Sequence, residues 1–142
     1  MMPKKLTASD FRVSIARIAR RLRNERDPSN DLSITALGVL GVLMREGECT
    51  LGDLAAHERV QPPSMTRTVR KLEEAGFVNR RPCPEDGRST YVALSESGRA
   101  TLLADRRRRD AWLSRAFEEL TPAELEVLGQ ASAIMDKLVE TK

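Results

Sequence analysis

The chain has 142 residues, of which 40% are hydrophobic, 32% charged and 4% aromatic; this fits one ordinary globular domain that needs neither disulfides nor metal to build a core. Twenty-four basic residues against 21 acidic ones give a net charge of +3, too nearly balanced to specify a polyanionic partner by its sum, so the positions of the charges carry the information. No run approaches the ~20 apolar residues of a membrane span and no apolar leader opens the chain, so a cytoplasmic protein is expected; Cys49, Cys83 and the lone His57 do not make a four-ligand zinc site.

Thr7 and Asp10 have the spacing of a capping box, and Phe11, Ile15, Ile18 and Leu22 then recur at helical intervals, which predicts a first helix running to about Asn24. Arg12, Arg17, Arg20, Arg21 and Arg23 lie between the apolar positions and read as a solvated face. The segment 27–31, Asp-Pro-Ser-Asn-Asp, is a loop by composition. Ser33 can cap a second helix carrying Leu37, Leu40 and Met44 and ending at Gly47, within which Gly38 and Gly41 permit close approach by a neighbour.

Thr50 and Asp53 form another capping pair and open a short helix with Leu51, Leu54, Ala55 and Val60 inward. After a turn at 59–62, Pro62 and Pro63 open the next helix, since proline is tolerated where a helix has no intrahelical partner for its N–H. Met65, Val69 and Leu72 mark the inward stripe of that helix, and Gly76 suits the left-handed position after it. Its other side carries Ser64, Thr66, Arg67, Thr68, Arg70 and Lys71, a cationic face rich in hydrogen-bond donors. Helix, turn and helix are followed by a hairpin: a strand from Phe77 and Val78 through Asn79, Arg80 and Arg81, a tip at 82–89, and a returning strand at 91–94. Pro84-Glu85-Asp86-Gly87 is a turn signature, and Arg88 sits at the tip.

Ser95 can cap a long helix from Glu96 to about Glu119, with the band Arg106 to Arg109 projecting into solvent. Thr121, Pro122 and Glu124 start a final helix with two apolar seams: Leu125, Leu128, Met135 and Val139 on one, and Val127, Ala131, Ile134 and Leu138 on the other. A helix apolar around so much of its circumference is normally covered on two sides, and in a chain this small another subunit supplies the second. The expected fold is mainly α with a small β-wing (α+β): a winged helix-turn-helix over 33–94, flanked by dimerisation helices in 7–25 and 95–140 of a single domain. The dimerising side chains expected are Phe11, Ile15, Ile18 and Leu22 with Leu125, Leu128, Met135 and Val139.

The stretch from Val60 to Arg80, the wing with Asp86-Gly87-Arg88, and Val92-Ala93-Leu94-Ser95-Glu96-Ser97-Gly98 together resemble the MarR family of bacterial winged-helix transcriptional regulators, and the order of elements agrees along nearly the whole chain. The resemblance implies a homodimer that binds double-stranded DNA at a pseudo-palindromic operator, most often as a repressor. The recognition helix over 63–75 would enter the major groove and the wing over 80–92 the minor groove. It places Pro63, Ser64, Thr66 and Arg67 at the DNA, Arg88 in the minor groove, and Asp86 as the acid bracing the wing; Gly87 stands where many members have arginine. It also implies release by a small aromatic or phenolic effector, or by cysteine oxidation.

The residues give the same assignment chemical sense. Arginine pairs with guanine O6 and N7, making Arg67 the expected base reader, while Ser64 and Thr66 at a helix start with free N–H groups suit phosphates. Arg70, Lys71 and Arg80 complete the cationic set, and for Arg70 an ion pair with Glu74 is the competing expectation. Cys49 adjoins a helix start, which tends to lower a thiol's pKa, and Cys83 lies at the base of the wing; a redox-sensing regulator stays open on these grounds. No phosphate loop, metalloprotease helix or nucleophile elbow is present, so an enzyme is not expected, nor any cofactor. A winged helix that serves only as a protein-interaction or RNA-binding module is the remaining alternative.

Overall fold

The structure, a computed structural model, describes residues 4–85 and 87–140. In chain order the elements are α1 (Ala8–Asn24), α2 (Ile34–Glu46), β1 (Cys49–Thr50), α3 (Leu51–Glu58), α4 (Pro62–Glu74), β2 (Val78–Pro82), β3 (Thr90–Leu94), α5 (Glu96–Glu118) and α6 (Pro122–Glu140). This is the mainly helical fold with a small antiparallel sheet that the sequence pattern predicts. The chain forms two compact units: one holds α1 with the chain from Arg107 onward, the other spans Asp27–Arg106.

The second unit is built on one apolar cluster. Val39 and Leu40 of α2, Leu54 of α3, Met65, Val69 and Leu72 of α4, Val78 of β2 and Val92 of β3 are all fully or almost fully buried, and Leu102 of α5 joins them. The expected stripe of α4 is thus the one that packs inward. In α2 the buried face is broader than expected: Ala36, Val39, Leu40, Val42 and Leu43 are buried, whereas Leu37 and Met44 are only half-buried. A helix covered by several neighbours hides positions that a single stripe would leave out. Gly38 accommodates a neighbour as expected, but what approaches it is the carboxylate of Glu58 from α3.

The sheet has the order β1-β3-β2, all antiparallel. Strand β1, which the sequence pattern misses because it is two residues long, pairs Cys49 with Val92 and Thr50 with Tyr91. The β2–β3 ribbon runs from Val78 opposite Leu94 to Pro82 opposite Thr90, and beyond it Cys83 N–H donates to Ser89 O at 3.0 Å. Only Val78 of β2 is buried, so the ribbon leaves the core as it proceeds. Pro82 has no N–H to give, which an edge strand tolerates.

Polar contacts set the element ends. Thr50 and Asp53 make a reciprocal capping box at the start of α3, with bonds of 3.1 and 3.4 Å. Gly47 and Gly76 both take positive φ, +80° and +82°, and so turn the chain out of α2 and α4. Ser95 joins the returning strand of the ribbon to the end of α4: its Oγ donates to Gly76 O at 2.6 Å, its N–H donates to Phe77 O at 3.1 Å, and Gly98 N–H donates to its Oγ at 3.0 Å. A Cβ on Gly98 would collide with the Phe77 carbonyl.

In the first unit, Arg21 stacks over Trp112 with 4.6 Å to the ring centroid and pairs with Glu25 at 2.8 Å. Arg109 departs from the expected solvent-facing band, because its Nε donates to Leu22 O at 3.1 Å and so satisfies a carbonyl at the C-terminus of α1. Neither α1 nor α6 buries any residue.

Candidate nucleic-acid interface

Helix α4 divides cleanly. Its inner stripe is fully buried, and its outer side presents exposed Pro63, Arg67, Arg70 and Lys71 with half-buried Ser64, Thr66 and Thr68. Two of the hydroxyls are already engaged within the helix: Thr66 Oγ1 donates to Pro62 O at 3.0 Å and Thr68 Oγ1 to Ser64 O at 3.1 Å. Arg67 Nη2 donates to Ser64 Oγ at 3.3 Å, which orients the guanidinium along the outer face. Among the described residues Arg70 and Lys71 have no acidic partner within 4 Å, so the Arg70–Glu74 pair that competed with DNA contact is absent and both cations face outward.

One expectation about the start of this helix is overturned. Free N–H groups were expected there for phosphate, but Pro62 and Pro63 occupy the first two positions and have none, and Ser64 N–H donates to Gln61 O at 3.0 Å. Gln61 adds no side-chain cap. Of the N–H groups that open the helix, that of Gln61 is left for an outside acceptor.

The ribbon carries the remaining candidates. Arg80 lies beside the C-terminal turn of α4, where its Nε and Nη2 both reach Glu73 Oε1, at 3.0 and 2.9 Å. That fork holds the Glu73 carboxyl below its ordinary pKa, the hydrogen bond from Arg80 being the main cause. Arg81, on the opposite face, pairs with Glu48 at 2.6 Å and stacks over Tyr91 with 4.8 Å to the centroid. Arg88 is exposed at the tip of the wing. Asp86 lies outside the described residues. The sequence pattern missed the roles of Glu73 and Glu48, because a pairing across elements leaves no periodic signal.

Both cysteines are buried. The Cys49 thiol is pushed up, not down as its place beside a helix start led us to expect: burial disfavours its anion, and Asp53 and Glu46 add like charge. His57 is exposed on α3.

A basic outer face on the second helix of a helix-turn-helix, followed by an arginine-bearing β-ribbon, defines a winged-helix DNA-binding protein. The MarR family model matches residues 32–90. An HTH-type transcriptional regulator of Mycobacterium tuberculosis is 43% identical over 133 residues, covering 94% of this chain and 92% of that protein. The HTH-type transcriptional repressor IacR of Pseudomonas putida is 28% identical over 111 residues, covering 78% of this chain and 66% of that protein. Among solved structures, a putative transcriptional regulator of Pseudomonas aeruginosa superposes with a TM-score of 0.83 at 32% identity, covering 95% of this chain and 94% of that one. The chain belongs to the MarR family: it is a DNA-binding transcriptional regulator.

Proposed function

We propose that the protein is a homodimeric repressor that reads a pseudo-palindromic operator, with α4 of each protomer in a major groove and the β2–β3 wing in the adjoining minor groove. The observation that carries the reading is the composition of α4: a fully buried apolar stripe fixes its orientation, and the opposite side offers Arg67, Arg70 and Lys71 without acidic partners among the described residues. Arg67, oriented by Ser64, reads a guanine, and Arg70 and Lys71 neutralise phosphates. Arg88 enters the minor groove, where a narrow A·T-rich segment concentrates negative potential.

Dimerisation is supported by the apolar side chains that one protomer leaves uncovered. Ile15 and Ile18 of α1 are 37% and 43% exposed, and Leu125, Leu128 and Val139 of α6 are 37%, 45% and 86% exposed. Such surface on two terminal helices is what a second copy covers. Repression is the mode named for the Pseudomonas putida relative, and a dimer seated on a promoter blocks polymerase without further chemistry.

Selection of bound fragments from the organism's own DNA, followed by footprinting, tests this directly. Two protected half-sites centred about 10–10.5 base pairs apart, or a multiple of that, are expected. Salt-sensitive binding that is indifferent to sequence would favour a module without operator specificity.

A further inference from the structure

We infer that Arg59, in the turn of the helix-turn-helix, binds a DNA-backbone phosphate at the mouth of the groove that α4 enters. The inference rests on the reading of α4 as the helix that reads DNA.

Arg59 is the single non-glycine residue with positive φ among the described residues, at φ 53° and ψ 44°. The fold demands that conformation. Arg59 ends α3 with its N–H donating to Ala56 O at 3.3 Å, and the left-handed step lets Val60 N–H donate to Ala55 O at 3.1 Å while the Val60 side chain packs on the core. What the fold does not demand is a side chain. A Cβ in this region of backbone space crowds the adjacent carbonyl, so glycine, or asparagine after it, is the residue that fits without strain. Arginine has a long cationic side chain in a place where the backbone disfavours any.

Among the described residues the Arg59 side chain has no ion-pair partner. It is exposed, and no described carboxylate lies within 4 Å of it. Its surroundings show what it can serve. Arg59 stands two residues before Gln61, the N-cap of α4, so its Cα is within about 7–8 Å of the end of the helix nearest the bases, and an extended arginine spans a comparable distance. Ordinarily the free N–H groups of a helix N-terminus hold the phosphate there. In α4 most of them are lost, because prolines fill the first two positions and Ser64 N–H is spent on Gln61 O, which leaves the N–H of Gln61. A cation projecting from the preceding turn replaces the missing donors, and that contact gives a use to an arginine held in a strained conformation.

An arginine at the end of α3 also faces the negative end of that helix's dipole, and this is the competing explanation. The two differ in what substitution does. The experiment measures binding of the full chain to a short random-sequence duplex over a salt series, together with melting temperature, for the parent, Arg59→Gly, Arg59→Asn and Arg59→Lys. Phosphate binding predicts that Arg59→Gly and Arg59→Asn melt at or above the parent, yet bind about tenfold more weakly at low salt. The slope of log K against log salt becomes shallower by about 0.9 for each bound chain, and Arg59→Lys keeps the parent slope. Parental affinity and slope in Arg59→Gly overturn the assignment, whatever its melting temperature. A parent that binds no duplex overturns it together with the reading of α4.

Discussion

Arg67 and Arg80 have the same charge and opposite situations. Arg67 is oriented by the Ser64 hydroxyl and keeps its fork for a partner outside the chain, whereas Arg80 has its fork occupied by Glu73. Replacing Arg67 with Ala is expected to lose about 1–3 kcal/mol of discrimination between operator and scrambled duplex per half-site. Arg88→Ala, by contrast, weakens both duplexes alike and flattens the salt dependence; a competition titration at several salt concentrations separates the two outcomes. The Glu73–Arg80 pair gives a pH prediction. Since the pair holds the Glu73 carboxyl below its ordinary value, the folded chain binds that proton less readily than the unfolded chain. Its contribution is therefore complete above the ordinary glutamate pKa and is lost as pH falls through the depressed one. Glu73→Gln should melt close to the parent at neutral pH, because an exposed pair is well screened, and the small gap should close in acid. It should also free Arg80 for phosphate, with tighter duplex binding and a salt slope steeper by up to about 0.9 per chain.

At the scale of elements, the wing is directed by its base. The Ser95 hydroxyl bonds to Gly76 O and the N–H of Gly98 while its backbone N–H bonds to Phe77 O, so the returning strand, the end of α4 and the start of α5 meet on one residue. Gly98 is required there because a Cβ would strike the Phe77 carbonyl, a backbone atom that has no alternative rotamer. Gly98→Ala is expected to cost about 1–3 kcal/mol in urea unfolding, despite alanine's higher helix propensity, and to weaken operator binding through displacement of the wing. The helix ends, by contrast, were legible from residue type alone. Thr50 with Asp53, Thr121 with Glu124 and Ser33 all make the capping bonds their spacing predicts, because a cap depends only on neighbours within one turn.

At the scale of the whole molecule, α1 and α6 bury no residue within one protomer, and each leaves large apolar side chains exposed. If a second copy covers them, a carboxylate at Leu128 has to be desolvated on assembly. Leu128→Asp is therefore expected to shift the protein from dimer to monomer in sedimentation velocity and to abolish footprinting of paired half-sites, leaving the secondary structure seen by circular dichroism intact. An unchanged dimer would move the interface elsewhere.

The sequence by itself determined the local devices: the caps, the glycine turns after α2 and α4, the buried stripe Met65-Val69-Leu72 and the cationic face opposite it. Each is set by backbone chemistry or by side-chain period over a few residues, and such constraints are written in adjacent positions. Tertiary structure decided what depends on residues far apart in the chain. It paired Arg80 with Glu73 and Arg81 with Glu48, added the short strand β1, and turned Arg109 toward the end of α1. It also buried Cys49 near Asp53 and Glu46, so that the thiol is raised where the helix start alone would lower it. Arg59 shows the division most plainly. The sequence places an arginine in a turn, but only the packing of Val60 against the core forces that arginine into the left-handed conformation that marks it out.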